Sequence, residues 1–225
     1  MTITFLELYN ECAGQPWSMY DSDAESIDDL ESALKISINK ATSFLWNLRP
    51  WIFRNKTKII RTKTGKASYD LPIGLLKTKA INGTQKYGVK YNGKFLPYMK
   101  DYEEADARSG EPEYFYIDDK TLYIYPTPDD AYEIELKYSS LAYALNEDEE
   151  EVYKFSEESD TLNIPEKYEE FEDQFVNCLI SKAMMYAIDD LNDENYSGYE
   201  VQYEDALGVL DKYCIDVNFE RSIGW

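Results

Sequence analysis

Residues 132–138 read Tyr-Glu-Ile-Glu-Leu-Lys-Tyr, and this stretch is the clearest indication of the fold. Apolar and charged residues alternate with a period of two, which is typical of an antiparallel strand with one buried and one exposed face. Upstream, the apolar runs 114–117 and 122–125 flank Asp118-Asp119, a pattern that predicts a hairpin. Pro126-Thr-Pro-Asp-Asp130 predicts the turn that leads into the alternating strand.

The same period of two extends through residues 51–145. Asn92-Gly93 lies between Val89-Lys-Tyr91 and Phe95-Leu96, and Asn-Gly between apolar runs is a strong hairpin signal. A further turn is predicted at residues 64–66, Thr-Gly-Lys. Frequent turns between short apolar runs predict an antiparallel β-sandwich or β-barrel domain over 51–145.

Helical patterns precede this β region, in residues 1–50. Thr4-x-x-Glu7 is a capping box that predicts a first short helix. A longer helix is predicted from about Ser26 to Leu48, because its apolar residues recur at spacings of three and four. These residues are Ile27, Leu30, Leu34, Ile38, Ala41, Leu45 and Leu48.

Helical patterns return after an acidic connector, predicted as a solvated loop over 146–163. Residues 164–214 hold two helices, the first opening at Pro165 and the second at a Ser197-x-x-Glu200 capping box. Residues 215–225 form a C-terminal arm beyond the last apolar stripe. The fold class is therefore α+β, in which the N- and C-terminal helices form one helical bundle and the antiparallel β-sandwich or β-barrel domain is inserted between them.

Charge is abundant and unevenly distributed along the chain. The net charge is −21, yet residues 49–100 contain thirteen lysines and arginines and one acid, Asp70, for a local net charge of +12. The remaining residues therefore carry −33. Such segregation predicts a dipolar surface that meets a complementary neighbour. The 21 tyrosines fit either an interface or an ordinary strand-rich core.

Composition argues against an enzyme. The absence of histidine excludes Ser-His and Cys-His catalysis and removes the commonest metal ligand. Cys12, Cys178 and Cys214 are far apart and odd in number, so they match neither a metal motif nor a disulfide framework. No glycine-rich phosphate loop is present. We expect no catalytic residue, no cofactor and no metal.

Neither a membrane span nor a secretory signal is expected. No apolar run approaches the roughly 20 residues that a membrane span needs. The first residues lack a basic segment followed by an apolar stretch. These patterns predict a soluble protein, made in the cytoplasm, with no membrane partner.

The basic segment is a candidate partner-binding surface, and Lys56, Lys58 and Arg61 are its central residues. Three interpretations stay open for it. It contacts an acidic surface of a neighbouring protein, it contacts a nucleic-acid backbone through basic residues interleaved with Trp51, Phe53 and Tyr69, or it is a neutral solvated face.

Several motifs follow one another in an order that resembles a known family. They are Tyr69-Asp-Leu-Pro72, Tyr91-Asn-Gly-Lys-Phe-Leu96, Gly110-Glu-Pro-Glu-Tyr114, Leu122-Tyr-Ile-Tyr-Pro-Thr-Pro-Asp129, the 132–138 strand and Ile164-Pro-Glu-Lys-Tyr168. From about residue 30 to residue 214, the chain resembles the head-to-tail adaptors (tail tubular protein A-like proteins) of short-tailed bacteriophages. The acidic connector and the lysine- and tyrosine-rich composition suit a phage of an AT-rich host, such as a crAss-like phage.

The resemblance implies a structural virion protein at the portal–tail junction, assembled in the host cytoplasm. Such proteins form a ring, usually dodecameric, between the portal protein and the tail nozzle or a neighbouring ring protein. Double-stranded DNA passes through the ring without sequence-specific binding, and acidic residues along the channel would repel its phosphates. The C-terminal segment of such proteins reaches onto the portal, so Phe219, Ile223 and Trp225 are further expected partner-binding residues.

Two other functions are compatible with the composition. One is an acidic nucleic-acid mimic or binding module that sequesters a basic partner. The other is a hydrolase domain of the tail, which the missing histidine and the missing catalytic motif disfavour.

Overall fold

The computed structural model describes residues 3–15, 27–75, 88–99, 108–188 and 194–215. The chain divides into two compact units. The helical unit is built from Met1–Arg54 and Leu141–Glu220, and the β unit from Asn55–Ser140. The predicted α+β class, with a β-rich domain inserted between helical segments, is confirmed.

The described part of the helical unit contains four α-helices. They are α1 (Phe5–Ala13), α2 (Ile27–Leu48), α3 (Glu172–Ala187) and α4 (Glu194–Tyr213). The capping box at Thr4 and Glu7 is present and begins α1. The predicted capping box at Ser197 is wrong, because α4 already begins at Glu194. The earlier start places Tyr196 within the helix, where it packs against the core.

The core of the helical unit forms around the predicted apolar stripe of α2. Leu34, Ile38, Ala41 and Leu45 are fully buried. Beside them, an aromatic cluster joins the end of α2 to α3 and consists of Trp46, Trp51, Phe53 and Phe175. The ring centroids in this cluster lie 5.3 to 6.1 Å apart, in stacked, tilted and edge-to-face pairs. Such contacts add to the stability that burial already provides.

The β unit contains ten described strands in three sheets. The strands are β1 (Asn55–Arg61), β2 (Ser68–Asp70), β3 (Gly74–Leu75), β4 (Gly88–Tyr91), β5 (Lys94–Phe95), β6 (Ser109–Gly110), β7 (Tyr114–Asp118), β8 (Thr121–Tyr125), β9 (Thr127–Pro128) and β10 (Glu133–Ser140). The largest sheet has the order β1-β10-β4-β5, with β3 also pairing with β10. A second sheet has the order β2-β8-β7, and β6 pairs with β9 in parallel.

The two larger sheets share one core, as expected for a sandwich. Ile134, Leu136 and Tyr138 of β10 are buried, whereas the alternate residues Glu133, Glu135 and Lys137 face away from that core. This is the alternation that the sequence predicts. The second sheet contributes Tyr69, Phe115, Leu122 and Ile124 to the same cluster.

Two hairpin turns test the local predictions in the β unit. Asn92 and Gly93 both have positive φ, +47° and +74°, so they form the predicted two-residue turn between β4 and β5. The turn between β7 and β8 is displaced by one residue from the prediction. It consists of Asp119 and Lys120, because Asp118 pairs with Thr121, and Asp119 adopts a φ of +50°.

The segment predicted as a solvated connector differs from that expectation. It contains two strands, β12 (Glu151–Val152) and β13 (Thr161–Leu162), which pair with β11 (Ala144–Leu145) in a small sheet of the helical unit. Phe155 is buried, and its ring stacks on the ring of Phe5 with centroids 5.1 Å apart. The buried carboxylate of Asp160 accepts hydrogen bonds from the backbone N–H groups of Ser156 and Glu157. These packing and hydrogen-bond contacts fix the structure of the segment, although its acidic composition is typical of a solvated loop.

Candidate interaction surfaces

The fold redistributes the charge that is segregated along the sequence. Residues 55–140 contain fourteen lysines and arginines and thirteen acids, so the β unit is close to neutral. Residues 1–54 and 141–220 contain eight bases and thirty-one acids, a net charge of −23. The expected dipole between the basic segment and the rest of the chain therefore needs correction. Acids of residues 101–135 offset the basic segment within its own unit, and the helical unit carries the excess negative charge.

Strand β1, which holds the predicted basic residues, lies at one edge of the largest described sheet. Its register with β10 places Lys56 opposite Tyr138 and Lys58 opposite Leu136, on the face that also bears buried Ile60. Arg61 lies opposite Glu133, on the other face, because successive residues of a strand alternate between faces. The three predicted residues therefore do not form one patch.

The two faces of β1 also differ in how their charges are compensated. Arg61 lies 3.9 Å from Glu133, and both side chains are more than half exposed, so this ion pair contributes little stability. Lys58 is exposed, and no carboxylate among the described residues lies within 4 Å of its ammonium group. Lys58 thus has more of its charge available to a partner than Arg61.

The turn that follows β1 is held by hydrogen bonds to the turn before β10. The Thr62 hydroxyl donates to the carbonyl oxygen of Asp130 (2.9 Å) and accepts from the backbone N–H of Tyr132 (2.7 Å). The N–H of Gly65 donates to the carbonyl oxygen of Pro128 (2.8 Å). Asp129 accepts the hydroxyl hydrogen of Tyr132 and so raises the pKa of that tyrosine. The aspartates at this turn therefore serve turn geometry, as aspartate commonly does.

Trp51, Phe53 and Tyr69 are each no more than 9% exposed, so these three rings are not available for stacking with a nucleic acid. Trp51 and Phe53 are buried in the core of the helical unit, with 1% and 0% of their surface exposed. The indole N–H of Trp51 donates to the carbonyl oxygen of Leu45 at 2.7 Å. Binding of single strands by stacking needs accessible rings. The structure therefore removes these three rings from the nucleic-acid interpretation.

An acidic turn projects from the small sheet of the helical unit, between β11 and β12. We define the acidic turn as residues 147–150, Glu-Asp-Glu-Glu, all of which are exposed. The side-chain oxygen of Asn146 accepts hydrogen bonds from the N–H groups of Asp148 (3.1 Å) and Glu150 (2.8 Å). The backbone of Asn146 also pairs with Glu150 and Glu149. Asn146 thus fixes the backbone of the turn from which the four carboxylates project.

The sequence profile of one protein family, SU10 adaptor protein, matches residues 4–218. The chain belongs to this family. It is therefore a phage adaptor-type structural protein of the virion, which confirms the predicted class of function. No curated protein matches the chain at a significant level.

The adaptor shows no arrangement of metal ligands in its described part, where no three histidine, cysteine or acidic residues converge on one point. All three cysteines are buried. Burial raises the pKa of the Cys12 and Cys178 thiols to about 12 and that of Cys214 to about 11, so these thiols are poor nucleophiles. In the described residues, no helix has both the length and the hydropathy needed to cross a bilayer.

The sequence suggests some candidate surfaces of the adaptor, which stay predictions, and it missed others. Phe219, Ile223 and Trp225 lie outside the described residues, so their contact with a partner stays a prediction. The role of Asn146 was missed, although asparagine ahead of an acidic run is a common turn signal. The exposed side chains of Ile36 and Phe44 on α2 were also missed. Both residues lie outside the apolar stripe predicted for this helix, and that position was the available signal.

Proposed function

We propose that this adaptor forms a closed ring, expected to be a dodecamer, that joins the portal to the tail. The observation that carries this proposal is the family match over residues 4–218. One side of the ring contacts the portal protein, and the other contacts the tail nozzle or a neighbouring ring protein. The adaptor acts through geometry and adhesion, so it needs no catalytic group and no cofactor.

The charge of the helical unit supports a role along the DNA path. A surface with a net charge of −23 repels phosphates, whereas a cationic lining would bind them tightly and in a salt-dependent manner. We propose that the acidic side of the ring faces the channel. Double-stranded DNA then passes during packaging and ejection without sequence-specific binding.

Two sets of residues are proposed to contact the flanking rings. The first is the C-terminal arm, in which Phe219, Ile223 and Trp225 are large apolar anchors that seat on the portal. The second is the basic set Lys56, Lys58 and Arg61 on β1. Because the fold divides this set between two faces, we propose Lys58 as the residue that contributes most to binding a partner.

The portal is proposed to template the ring. Identical subunits with a net charge of −21 repel one another in solution, so the purified chain should remain a monomer. Sedimentation of the chain alone and with portal tests this step. We expect a monomer in the first case and a stable complex in the second. A closed ring of the chain alone at low concentration would contradict a templated assembly.

The location of the adaptor tests the proposed function directly. Phage that lack the gene should accumulate DNA-filled heads without tails, and complementation in trans should restore tailed particles. An asymmetric reconstruction of those particles should show the adaptor as a ring between portal and tail. Tailed, infectious particles without the adaptor, or density for it elsewhere in the virion, would refute the proposal.

A further inference from the structure

The surface of the helical unit carries a group of lysines that lie on aromatic rings. We define the lysine–aromatic patch as Lys40 and Phe44 of α2, Lys182 and Tyr186 of α3, and Tyr203 of α4. The ammonium nitrogen of Lys182 lies 5.0 to 5.2 Å from the ring centroids of Phe44, Tyr186 and Tyr203. The ammonium nitrogen of Lys40 lies 4.1 Å from the centroid of Tyr186. Each ammonium group is therefore held in place by cation–π attraction.

The two ammonium groups of the patch lack a counter-ion in the described structure. No described carboxylate lies within 4 Å of Lys40 or Lys182, although this unit contains almost four acids for every base. Glu204 follows Tyr203 along α4 without pairing with Lys182, and Asp211 pairs instead with Arg49 at 3.3 Å. Among the described residues, both cations are thus retained without a carboxylate partner, although this unit is the most acidic part of the chain.

The patch also exposes apolar surface. Phe44 is 40% exposed. Tyr186 and Tyr203 are only partly buried. A surface that combines large apolar groups with unpaired cations fits a partner that presents carboxylates beside an apolar or aromatic group.

The adaptor itself carries a segment with that chemistry. The acidic turn presents four exposed carboxylates, and Tyr153, three residues after it, is 58% exposed. The backbone of the turn is held by Asn146, so little backbone entropy is lost when it docks.

The acidic turn and the lysine–aromatic patch lie on different flanks of α2. Asn39 binds Tyr143 and Phe155, which lie on either side of the acidic turn along the chain, whereas Lys40 and Phe44 contact α3. Asn39 and Phe44 are five residues apart, a rotation of about 140° around a helix of 3.6 residues per turn. One subunit therefore presents the two surfaces in different directions, which is the arrangement that a head-to-tail contact between identical subunits requires.

We infer that the acidic turn of one adaptor copy docks on the lysine–aromatic patch of the next copy, and that this contact repeats around the ring. The inference rests on the proposed function, because a closed ring repeats one heterologous contact at every subunit boundary. The carboxylates of the turn supply the counter-ions of Lys40 and Lys182, and Tyr153 packs beside Phe44. This contact offsets the repulsion between subunits that the net charge creates.

Charge exchange tests the contact in phage that lack the adaptor gene and receive variants in trans. Lys40→Glu alone, and Glu147→Lys with Glu149→Lys, should each lower adaptor incorporation into particles at least about tenfold, since each places like charges opposite one another. The three substitutions together should restore most of the incorporation. Lys167→Glu is the matched control, because Lys167 is an exposed lysine over a tyrosine of the same unit, and it should behave as wild type.

Cross-linking provides a second measurement that does not depend on charge reversal. Lys40→Cys combined with Glu149→Cys should give a ladder of adaptor multimers in particles treated with a short bismaleimide, whereas either substitution alone should not. The native thiols are buried and have raised pKa values, so they contribute little background.

The outcomes separate this contact from the proposed function. Particles with an adaptor ring between portal and tail, but with no ladder and no rescue by the combined charge exchange, would overturn the contact and leave the function intact. A ladder from an adaptor located elsewhere in the particle would support the contact and refute the function. Unfolding followed through Trp46 and Trp51 fluorescence would identify a variant that fails simply because it does not fold.

Discussion

Asn39 of α2 connects the helix to the segment that carries the acidic turn, and its replacement by alanine should be strongly destabilising. Its side-chain oxygen accepts hydrogen bonds from the hydroxyl of Tyr143 (2.8 Å) and from the backbone N–H of Phe155 (3.0 Å). Its side-chain nitrogen donates to the carbonyl oxygen of Phe155 at 3.3 Å. Tyr143 and Phe155 are 3% and 2% exposed, so water does not readily replace these bonds in Asn39→Ala.

The expected loss is about 2–4 kcal/mol in the free energy of unfolding of the helical unit. A buried N–H left without an acceptor costs about 1–3 kcal/mol, which applies to Phe155. The lost bond to Tyr143 adds roughly 0.5–1.5 kcal/mol, since that hydroxyl keeps only a weak contact of 3.4 Å with the carbonyl oxygen of Asn39. Tyr143→Phe removes the second of these interactions alone and should cost about 1 kcal/mol.

Chemical unfolding followed through tryptophan fluorescence measures this loss, because Trp46 and Trp51 are both buried in the core of the helical unit. Asn47→Ala is the matched control. Asn47 lies on the same helix and is exposed, and its side chain donates to the carbonyl oxygen of Ser43 at 2.9 Å. Its replacement should change the free energy of unfolding by less than about 0.5 kcal/mol.

An Asn39→Ala variant as stable as Asn47→Ala would contradict this expectation. It would mean that the amide of Asn39 does not hold the Tyr143–Phe155 segment to α2. The position of the acidic turn would then need another explanation. A double variant, Asn39→Ala with Tyr143→Phe, should lose less than the sum of the single losses, because the two side chains share one hydrogen bond.

Three further predictions concern pH, the C-terminal arm and the edge strand. The carboxylate of Glu172 accepts the N–H of Ile3, and burial raises the pKa of this carboxyl group. The protonated group therefore stabilises the fold at low pH, and this stability is lost as the pH rises from the ordinary pKa of a glutamate through the raised pKa of Glu172. Glu172→Gln should therefore increase the free energy of unfolding at about pH 7 and change it little at about pH 4; an equal effect at both pH values would contradict this. Deletion of residues 219–225 should leave the fluorescence-detected unfolding midpoint nearly unchanged and abolish portal binding in a pull-down, whereas an unfolded variant would show that the arm caps its own subunit. Lys58→Glu should reduce incorporation into particles more than Arg61→Glu does, because Arg61 is already paired with Glu133. Raised salt should weaken assembly of the wild type. Equal incorporation of the two variants would show that the charge of Lys58 is not used in binding.

Elements whose signals are local were predictable from the amino-acid sequence. The capping box at Thr4, the apolar stripe of α2 and the Asn92-Gly93 turn depend on residues within a few positions of one another. Strand β10 was predicted for the same reason, because its alternation is complete within seven residues. The ordered motifs along the β region also resemble those of phage adaptors, and the family match agrees with that class.

Predictions from the sequence were less accurate where local signals compete with tertiary contacts. Serine commonly caps helices, yet α4 begins at Glu194, three residues before Ser197, and Tyr196 of this first turn packs against the core. Tyr213 lies three residues after buried Leu210 on α4, a spacing typical of one apolar face, but it is 55% exposed. The acidic composition of 146–163 predicted a solvated loop, whereas Phe155 and Asp160 anchor the segment, the first through contacts that span more than a hundred residues and the second through a tight turn.

Which charges face together depends on the tertiary structure. The pairing of β1 with β10 brings Glu133 opposite Arg61 and divides the basic residues between two faces, and nothing within β1 specifies that partner. The near-neutral β unit arises because acids and bases far apart in sequence fold into one unit. Likewise, Lys40 and Lys182 meet on one surface only because α2 and α3 pack side by side. Electrostatic interactions depend on distance in space, so a charge pattern along the chain does not determine the surface that a partner meets.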